Sequence, residues 1–345
     1  MGETIFYIPD QAGYRQLTTA YVSQAIGPSH PLYGYVSEFF QLSVPADHAS
    51  INVIPDGCND LLILFDSVRV RSFLSPSIEG SRRFLFPHTQ TILGVRFLPG
   101  ATAQFLREDM TALIGWVPEI HCFLRDFNQV ELCLLEDETF DHRCALLTTY
   151  LTKRLPPKDA AQQIIDTCAV LLGSTDPRTT VENLSQKTGY SSRYLRRLFG
   201  RYVGHSPKEF AGILRIQAIV RWLKAHPQAN LADTAVRFGF SDQSHMNRTC
   251  QRYLGVTPGT IQWKPDWAVQ LSPQRQLHLH QPGMSPASCQ PRQGVHPLHF
   301  QEPKVERNPK LLLPPDSEPR HSRRGLFFGG LRQENFKGLS KLLVN

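Results

Sequence analysis

Long apolar runs are missing from this 345-residue chain. No stretch approaches the roughly 18–20 residues that a membrane-spanning helix requires, and Leu61–Phe65 is a typical uninterrupted one. The first residues include Glu3 and lack the apolar segment of a secretory leader, so a soluble, cytoplasmic protein without a membrane partner is expected. Charge is sparse at 19%, but 41% of residues are hydrophobic, enough to bury cores and exclude a wholly disordered chain. The seven cysteines contain no C-x-x-C pair and meet no histidine at ligand spacing, and are read as reduced core residues. A nucleophile elbow, a metal-ligand motif and a phosphate loop are also lacking, so neither an enzyme nor a cofactor is expected.

What charge there is lies unevenly. Residues 1–177 hold 12 Lys and Arg against 20 Asp and Glu, whereas residues 178–264 hold 14 against 4 and residues 265–345 hold 11 against 6. An acidic block joined to a basic one is the electrostatic footprint of a nucleic-acid-binding module beside a domain with another task. A solvated basic face would give the same count, so charge alone does not decide. Eleven of the 26 prolines fall after Lys264, in a Pro/Gln/His-rich tail without apolar periodicity, and that tail is expected to be mostly disordered.

The first block reads as β-rich. Short apolar runs at Leu61–Ser67, Phe73-Leu74 and Thr91–Leu98 alternate with turn formers at Pro55-Asp56-Gly57, Ser75-Pro76-Ser77 and Pro99-Gly100. From about Ala101 the apolar spacing becomes helical, over Ala101–Leu106, Asn128–Leu135, Arg143–Leu151 and Ala160–Leu172. The fold class that results is α+β and multidomain: a β-rich sheet or barrel with helices over 1–172, a linker over 173–178, an all-α module over 179–264 and the tail over 265–345.

The all-α module carries the specific signals. Thr179-Thr180-Val181-Glu182 has the form of a capping box, with Thr179 paired to Glu182. The helix it opens runs to Thr188, and Gly189-Tyr190-Ser191 then makes the short turn of a helix-turn-helix. The next helix, 192–202, turns Leu195, Leu198, Phe199 and Tyr202 inward and carries Arg193, Arg196, Arg197 and Arg201 on its other faces. The arrangement recurs: Gly189 and Gly239 are 50 residues apart, and Arg201-Tyr202-Val203-Gly204 and Arg252-Tyr253-Leu254-Gly255 are 51 apart, so the second turn holds one extra residue. Between the repeats, Ser206-Pro207-Lys208-Glu209 opens a helix of about 17 residues that joins the two units.

With these residues in view, the segment 178–262 resembles the tandem helix-turn-helix domain of AraC/XylS-type transcriptional regulators, through Gly239-Phe240-Ser241-Asp242-Gln243-Ser244, Arg248, Gly255 and Pro258. It departs at Met246 and Cys250, where the family usually has Phe, and at Ile261-Gln262, where it usually has Tyr-Arg. The resemblance implies two recognition helices, 192–202 and 242–253, entering successive major grooves of promoter DNA. By motif position, Arg193, Arg196, Arg197, Gln243, Ser244, Asn247 and Arg248 would face bases, and their chemistry fits, since Arg pairs bidentately with guanine and Asn or Gln with adenine. Arg201, Arg252, Ser191 and Ser241 are assigned to phosphate.

In the first block, the PDGC of Pro55–Cys58 and Gly94-Val95-Arg96-Phe97-Leu98-Pro99-Gly100 are similar to signatures of N-terminal domains found ahead of such modules in uncharacterised bacterial regulators. The resemblance implies a sensory or dimerising domain, with Asp56, Asp60 and Arg96 as candidates for a polar ligand site. Each is also an ordinary choice for a turn or an ion pair. The partners named by this reading are double-stranded promoter DNA, RNA polymerase, a small-molecule effector and a second copy of the chain, at the bacterial nucleoid. Its rival is a constitutive or architectural DNA binder whose first block only dimerises.

Overall fold

A central strand buried on both sides organises the first half of the molecule. In the computed structural model, which describes residues 11, 20–43, 50–66, 69–85, 91–136, 139–174, 179–261 and 276–278, seven strands precede the helices. They are β1 (Ala20–Ala25), β2 (Val36–Ser43), β3 (Ser50–Val53), β4 (Asn59–Phe65), β5 (Val70–Ser75), β6 (Arg82–Leu85) and β7 (Thr91–Phe97). Five form an antiparallel sheet in the order β1-β2-β7-β4-β5. Strand pleating sends Leu61, Ile63 and Phe65 of β4 to one face and Leu62 and Leu64 to the other. With both faces covered, β4 reads as one continuous apolar run.

Five helices follow within or after this block: α1 (Ala101–Leu106), α2 (Phe127–Glu136), α3 (Phe140–Thr152), α4 (Ala160–Ser174) and α5 (Val181–Thr188). One sheet face is roofed by α2 and α3, through Phe127, Val130, Leu134, Leu147 and Leu151. The opposite face packs Phe40, Leu42, Leu62 and Ile92 against Ile51 and Phe84 of the small β3-β6 pair. Gly94 makes that packing possible, because a Cβ at this position would overlap the ring of Phe40.

The helical half continues with α6 (Ser192–Val203), α7 (Pro207–Ala225), α8 (Leu231–Arg237) and α9 (Gln243–Leu254). Each start is fixed by a side chain that accepts an orphan backbone N–H: Thr180 for α5, Ser191 for α6, Ser206 for α7, Asn230 for α8 and Asp242 for α9. The first box corrects the expected one. Thr180, one residue on from Thr179, is the cap, and Asn183 reaches back in place of Glu182 because only N3 sits over the cap's own N–H. The joining helix has 19 residues and not 17, which at 1.5 Å per residue is about 28 Å.

Three further readings are adjusted. Cys58, Cys144, Cys168 and Cys250 are free and buried, but Cys133 is exposed and Cys122 is disulfide-bonded, so the reduced-core reading does not hold for all seven. Gly173 and Ser174, expected in the linker, close α4, and 175–178 lie outside the described residues. Of the expected disordered tail only Gln276–His278 is described; it forms β8, parallel to β6, and the remainder lies outside the described residues.

Residues Phe6–His299 form one compact unit, and two of its cores cross from the first block to the helix-turn-helix segment. Met110 and Leu113, from a 3-10 turn after α1, join Ile164, Ile165 and Cys168 of α4 and Leu195, Leu198, Phe199 and Val203 of α6, with Phe210 and Leu214 of α7. On the other side of α7, Ile213, Ile216, Ile219, Val220 and Leu223 pack with Ala235, Phe240, Met246, Cys250 and Leu254, and Ile54 enters from the first block. Met246 and Cys250, the departures from the usual Phe, are wholly buried there.

Candidate nucleic-acid interface

Both recognition helices are 12 residues long and each ends at a glycine with positive φ, Gly204 and Gly255. Their turns differ as the 50/51 offset predicts: two residues separate Gly189 from Ser192, and three separate Gly239 from Gln243. The extra residue makes Asp242 the cap of α9, where Ser191 is the cap of α6. Hydrogen bonds from the His245 backbone N–H and from Ser241 hold the Asp242 carboxyl below the usual range.

On α6 the inward residues Leu195, Leu198, Phe199, Tyr202 and Val203 leave Arg193, Arg196 and Arg197 exposed on the outer face. The three arginines are held differently. Arg193 makes no ion pair or hydrogen bond among the described residues. Arg196 Nη2 lies 3.3 Å from Glu182 Oε1 of α5, and the Arg197 guanidinium lies 5.5 Å from the ring of Tyr194. Tyr194 is stacked on Tyr190 of the turn with centroids 5.3 Å apart. Arg201 is half-buried at the same helix's end.

On α9 the exposed residues are Gln243, Ser244, His245, Arg248, Gln251 and Arg252, over an inner face of Met246, Cys250, Tyr253 and Leu254. Asn247 is half-buried, and its Oδ1 is buried without a hydrogen-bond partner, so a base contact through that oxygen requires a rotamer change. Ser241 is exposed and shares a hydrogen bond of 3.3 Å with His245 Nδ1, which ties the turn to the helix. Arg252 lies 5.5 Å from the Tyr253 ring. The seven base-reading candidates thus divide into two sets, one per lobe. Sequence reasoning missed the contacts of Glu182 with Arg196 and of Tyr194 with Arg197; the second pair is three residues apart on one helix and its spacing was an available signal, whereas the first joins two helices across 14 residues.

Asp56, Asp60 and Arg96 come together, with Glu38, inside the first block. Arg96 on β7 is opposite Glu38 of β2 and Asp60 of β4 in the sheet register, so the three form a row across adjacent strands. Its guanidinium is 2.7 Å from Glu38, 3.0 Å from Asp60 and 3.7 Å from Asp56. Arg96 is 1% exposed. Burial pushes the Asp56 carboxyl up to about 6, against the pull of Arg96 and the hydrogen bonds from Gln11 and the Cys58 N–H. Two cavities elsewhere in this block, one lined by Phe40, Leu62 and Phe84 and one by Phe97, Phe105 and Leu124, are apolar and hold about 10 Å³ each.

Two helix-turn-helix units, repeated on opposite sides of one capped rod and presenting polar outer faces, make 179–261 a tandem helix-turn-helix module. Comparison with known families gives the particular type: residues 184–262 match the family described as a helix-turn-helix domain, and the module is AraC-type. Residues 24–117 match a Domain of unknown function (DUF6597).

The chain is 28% identical over 113 residues to the Right origin-binding protein of Escherichia coli (strain K12), covering 32% of this chain and 38% of that protein. It is 29% identical over 162 residues to the Uncharacterized HTH-type transcriptional regulator YbfI of Bacillus subtilis (strain 168), covering 45% and 55%. To the Multiple antibiotic resistance protein MarA of Escherichia coli (strain K12) it is 32% identical over 79 residues, covering 23% and 61%. The chain therefore spans between 38% and 61% of the length of these relatives. Among solved structures, ToxT from Vibrio cholerae overlaps with a TM-score of 0.30 at 13% identity, over 61% of this chain and 86% of that one.

Proposed function

We propose that the chain is a sequence-specific DNA-binding transcription regulator of AraC/XylS type that inserts α6 and α9 into successive major grooves of a promoter. The observation that carries this is the pair of 12-residue helices with exposed base-reading side chains, joined by one continuous 19-residue rod. Grooves on one face of a duplex are about 34–36 Å apart. Arg193, Arg196 and Arg197 read one half-site, and Gln243, Ser244, Asn247 and Arg248 the other. Ser191, Ser241, Arg201 and Arg252 meet phosphates. The remaining basic residues of 178–264 add attraction that carries no sequence information and weakens with salt. RNA polymerase is the protein partner this reading calls for, in the bacterial cytoplasm.

Selection of duplexes from a random pool by the full-length protein tests the proposal. Two half-sites one helical turn apart are expected; the absence of any enriched motif overturns it. A mirrored pair of such motifs indicates a homodimer.

The constitutive reading also has an observation in its favour. Asp56, Asp60 and Arg96 satisfy one another, and the apolar cavities of the first block have room for about one water each. A thermal-shift screen of the full chain separates the two readings: a stabilising metabolite supports small-molecule modulation, and silence across a broad library supports a first block that only dimerises.

A further inference from the structure

One five-residue loop of the first block touches the end of both recognition helices. Ser77 Oγ shares a buried hydrogen bond of 2.8 Å with His205 Nε2, two residues past the end of α6. Four residues on, the Ser81 N–H donates to the carbonyl of Tyr253, in the last turn of α9, at 2.7 Å. Glu79, between them, is near enough to both His205 and Tyr253 to act on their ionisation. The loop is itself anchored to β4, because the Ser77 N–H donates to Asn59 Oδ1 at 2.7 Å.

A second attachment lies on the rod between the lobes. Gln217 Nε2 of α7 donates to the Pro55 carbonyl at 2.8 Å, with both residues buried. Beside it, Gly57 has φ +74° and would bring a Cβ to 2.5 Å of Phe210, so the backbone turn itself packs on α7. Both lobes pack on α7 through side chains, and with α7 as the sole connection those contacts alone would set how the recognition helices stand relative to one another. The 77–81 loop adds a direct tie between the two helix ends that does not pass through α7.

We propose that the Ser77–Ser81 loop, with Pro55–Gly57 behind it, is a brace that fixes the distance and twist between α6 and α9 and so determines which half-site spacing the protein accepts. Ser77, Ser81, His205 and Gln217 are positioning residues: none reads a base, and each acts through the geometry of those that do. This rests on the two-helix reading above.

The test uses half-sites taken from the random-pool selection and rebuilt into duplexes at the selected spacing and at one and two base pairs more or fewer. Each added base pair turns one half-site by about 35° around the duplex axis, as 10–10.5 base pairs per turn require. Wild type is expected to lose about tenfold in affinity for a one-base-pair change, whereas Ser81→Pro, which removes the N–H donor, loses about threefold or less. Binding to a single half-site stays as in wild type. Ser77→Ala removes only a hydroxyl and is expected to move the profile the same way, so it carries the test if Ser81→Pro does not fold.

A spacing profile identical to wild type in folded Ser77→Ala or Ser81→Pro overturns the brace while leaving the two-helix reading standing. An equal loss at every spacing overturns it as well, since that reports a stability effect. A failure of the pool to enrich any motif falls on the two-helix reading itself.

Discussion

The two lobes of the module share a fold and differ in what they rest on. The first draws its core from far away in sequence: Met110 and Leu113 of the 3-10 turn and Ile164 and Cys168 of α4 close over Leu195, Leu198 and Phe199. The second fills its own core from α7, α8 and α9 and borrows Ile54 from the first block. Their outer faces differ in the same sense. The first carries three arginines, one paired with Glu182 and one over Tyr194; the second carries Gln243, Ser244, Asn247 and a single arginine in the corresponding stretch. The lobe most deeply embedded in the first block is thus the one with the stronger charge. A change in the first block reaches its arginines through continuous packing, whereas among the described residues the second lobe meets that block through a few points that include Ile54, Pro55 and Ser81.

Core truncation gives the largest expected break between them. Phe199 is fully buried and packs on Phe210 at a centroid distance of 5.7 Å. Phe199→Ala is expected to cost about 3–5 kcal/mol and to lower the denaturation midpoint of the whole chain, because its cluster includes first-block residues. Met246→Ala costs about 2–5 kcal/mol by the same mechanism, but its loss is expected to fall on the second lobe. Urea denaturation followed by hydrogen exchange distinguishes them. Equal loss of protection over β4 and β7 in both variants would erase the contrast.

At the DNA, Arg197→Ala is expected to relax base preference at one position of the proximal half-site, at a cost of about 1–3 kcal/mol. Arg252→Ala is expected to weaken every sequence alike and flatten the salt dependence by about one phosphate contact. Competition of the selected site against random DNA is the measurement. The same factor on both DNAs for both variants refutes the base-reading role of Arg197.

Much of this comparison was open to sequence reasoning, because caps, helical spacing and the 50/51 offset are local. They placed both recognition helices within about one residue at each end, and β4, β5 and β7 were visible as apolar runs between turn formers. Cross-strand and cross-domain neighbours were not legible. Arg96 meets Glu38 58 residues away and Asp60 36 residues away, through sheet register alone. Ser77 meets His205 across 128 residues and Gln217 meets Pro55 across 162. A capping box slipped by one residue for a related reason: Thr179 and Thr180 offer the same hydroxyl, and only the hydrogen-bond geometry chooses between them.

Proton linkage probes the loop that supports the second lobe. Burial raises Asp56 from 3.8 to about 6, so between those values the folded chain holds a proton that the unfolded chain has released. The resulting stability is fully present below 3.8 and is lost as pH rises through about 6. Burial lowers His205, whose contribution runs the opposite way and is lost as pH falls. The two are separated by subtracting the profile of Asp56→Asn from that of wild type. The difference is expected to decline with rising pH around 6; a flat difference means that Asp56 keeps its ordinary ionisation.

The smallest expected effect concerns Glu182, which belongs to the first lobe alone. Its ion pair with Arg196 is solvated, with side-chain exposures of 65% and 55%, and exposed pairs contribute about 0–1 kcal/mol. Glu182→Gln is therefore expected to leave stability unchanged within error and to strengthen DNA binding about threefold or less near physiological salt, by releasing Arg196 and removing a negative charge near the phosphates. The gain should shrink as salt is raised, with base preference unaltered. A changed preference at one base of the proximal half-site would mean instead that Glu182 aims the Arg196 guanidinium. The first lobe would then read DNA through a buttressed pair of arginines, Arg196 by Glu182 and Arg197 by Tyr194, for which the second lobe has no counterpart.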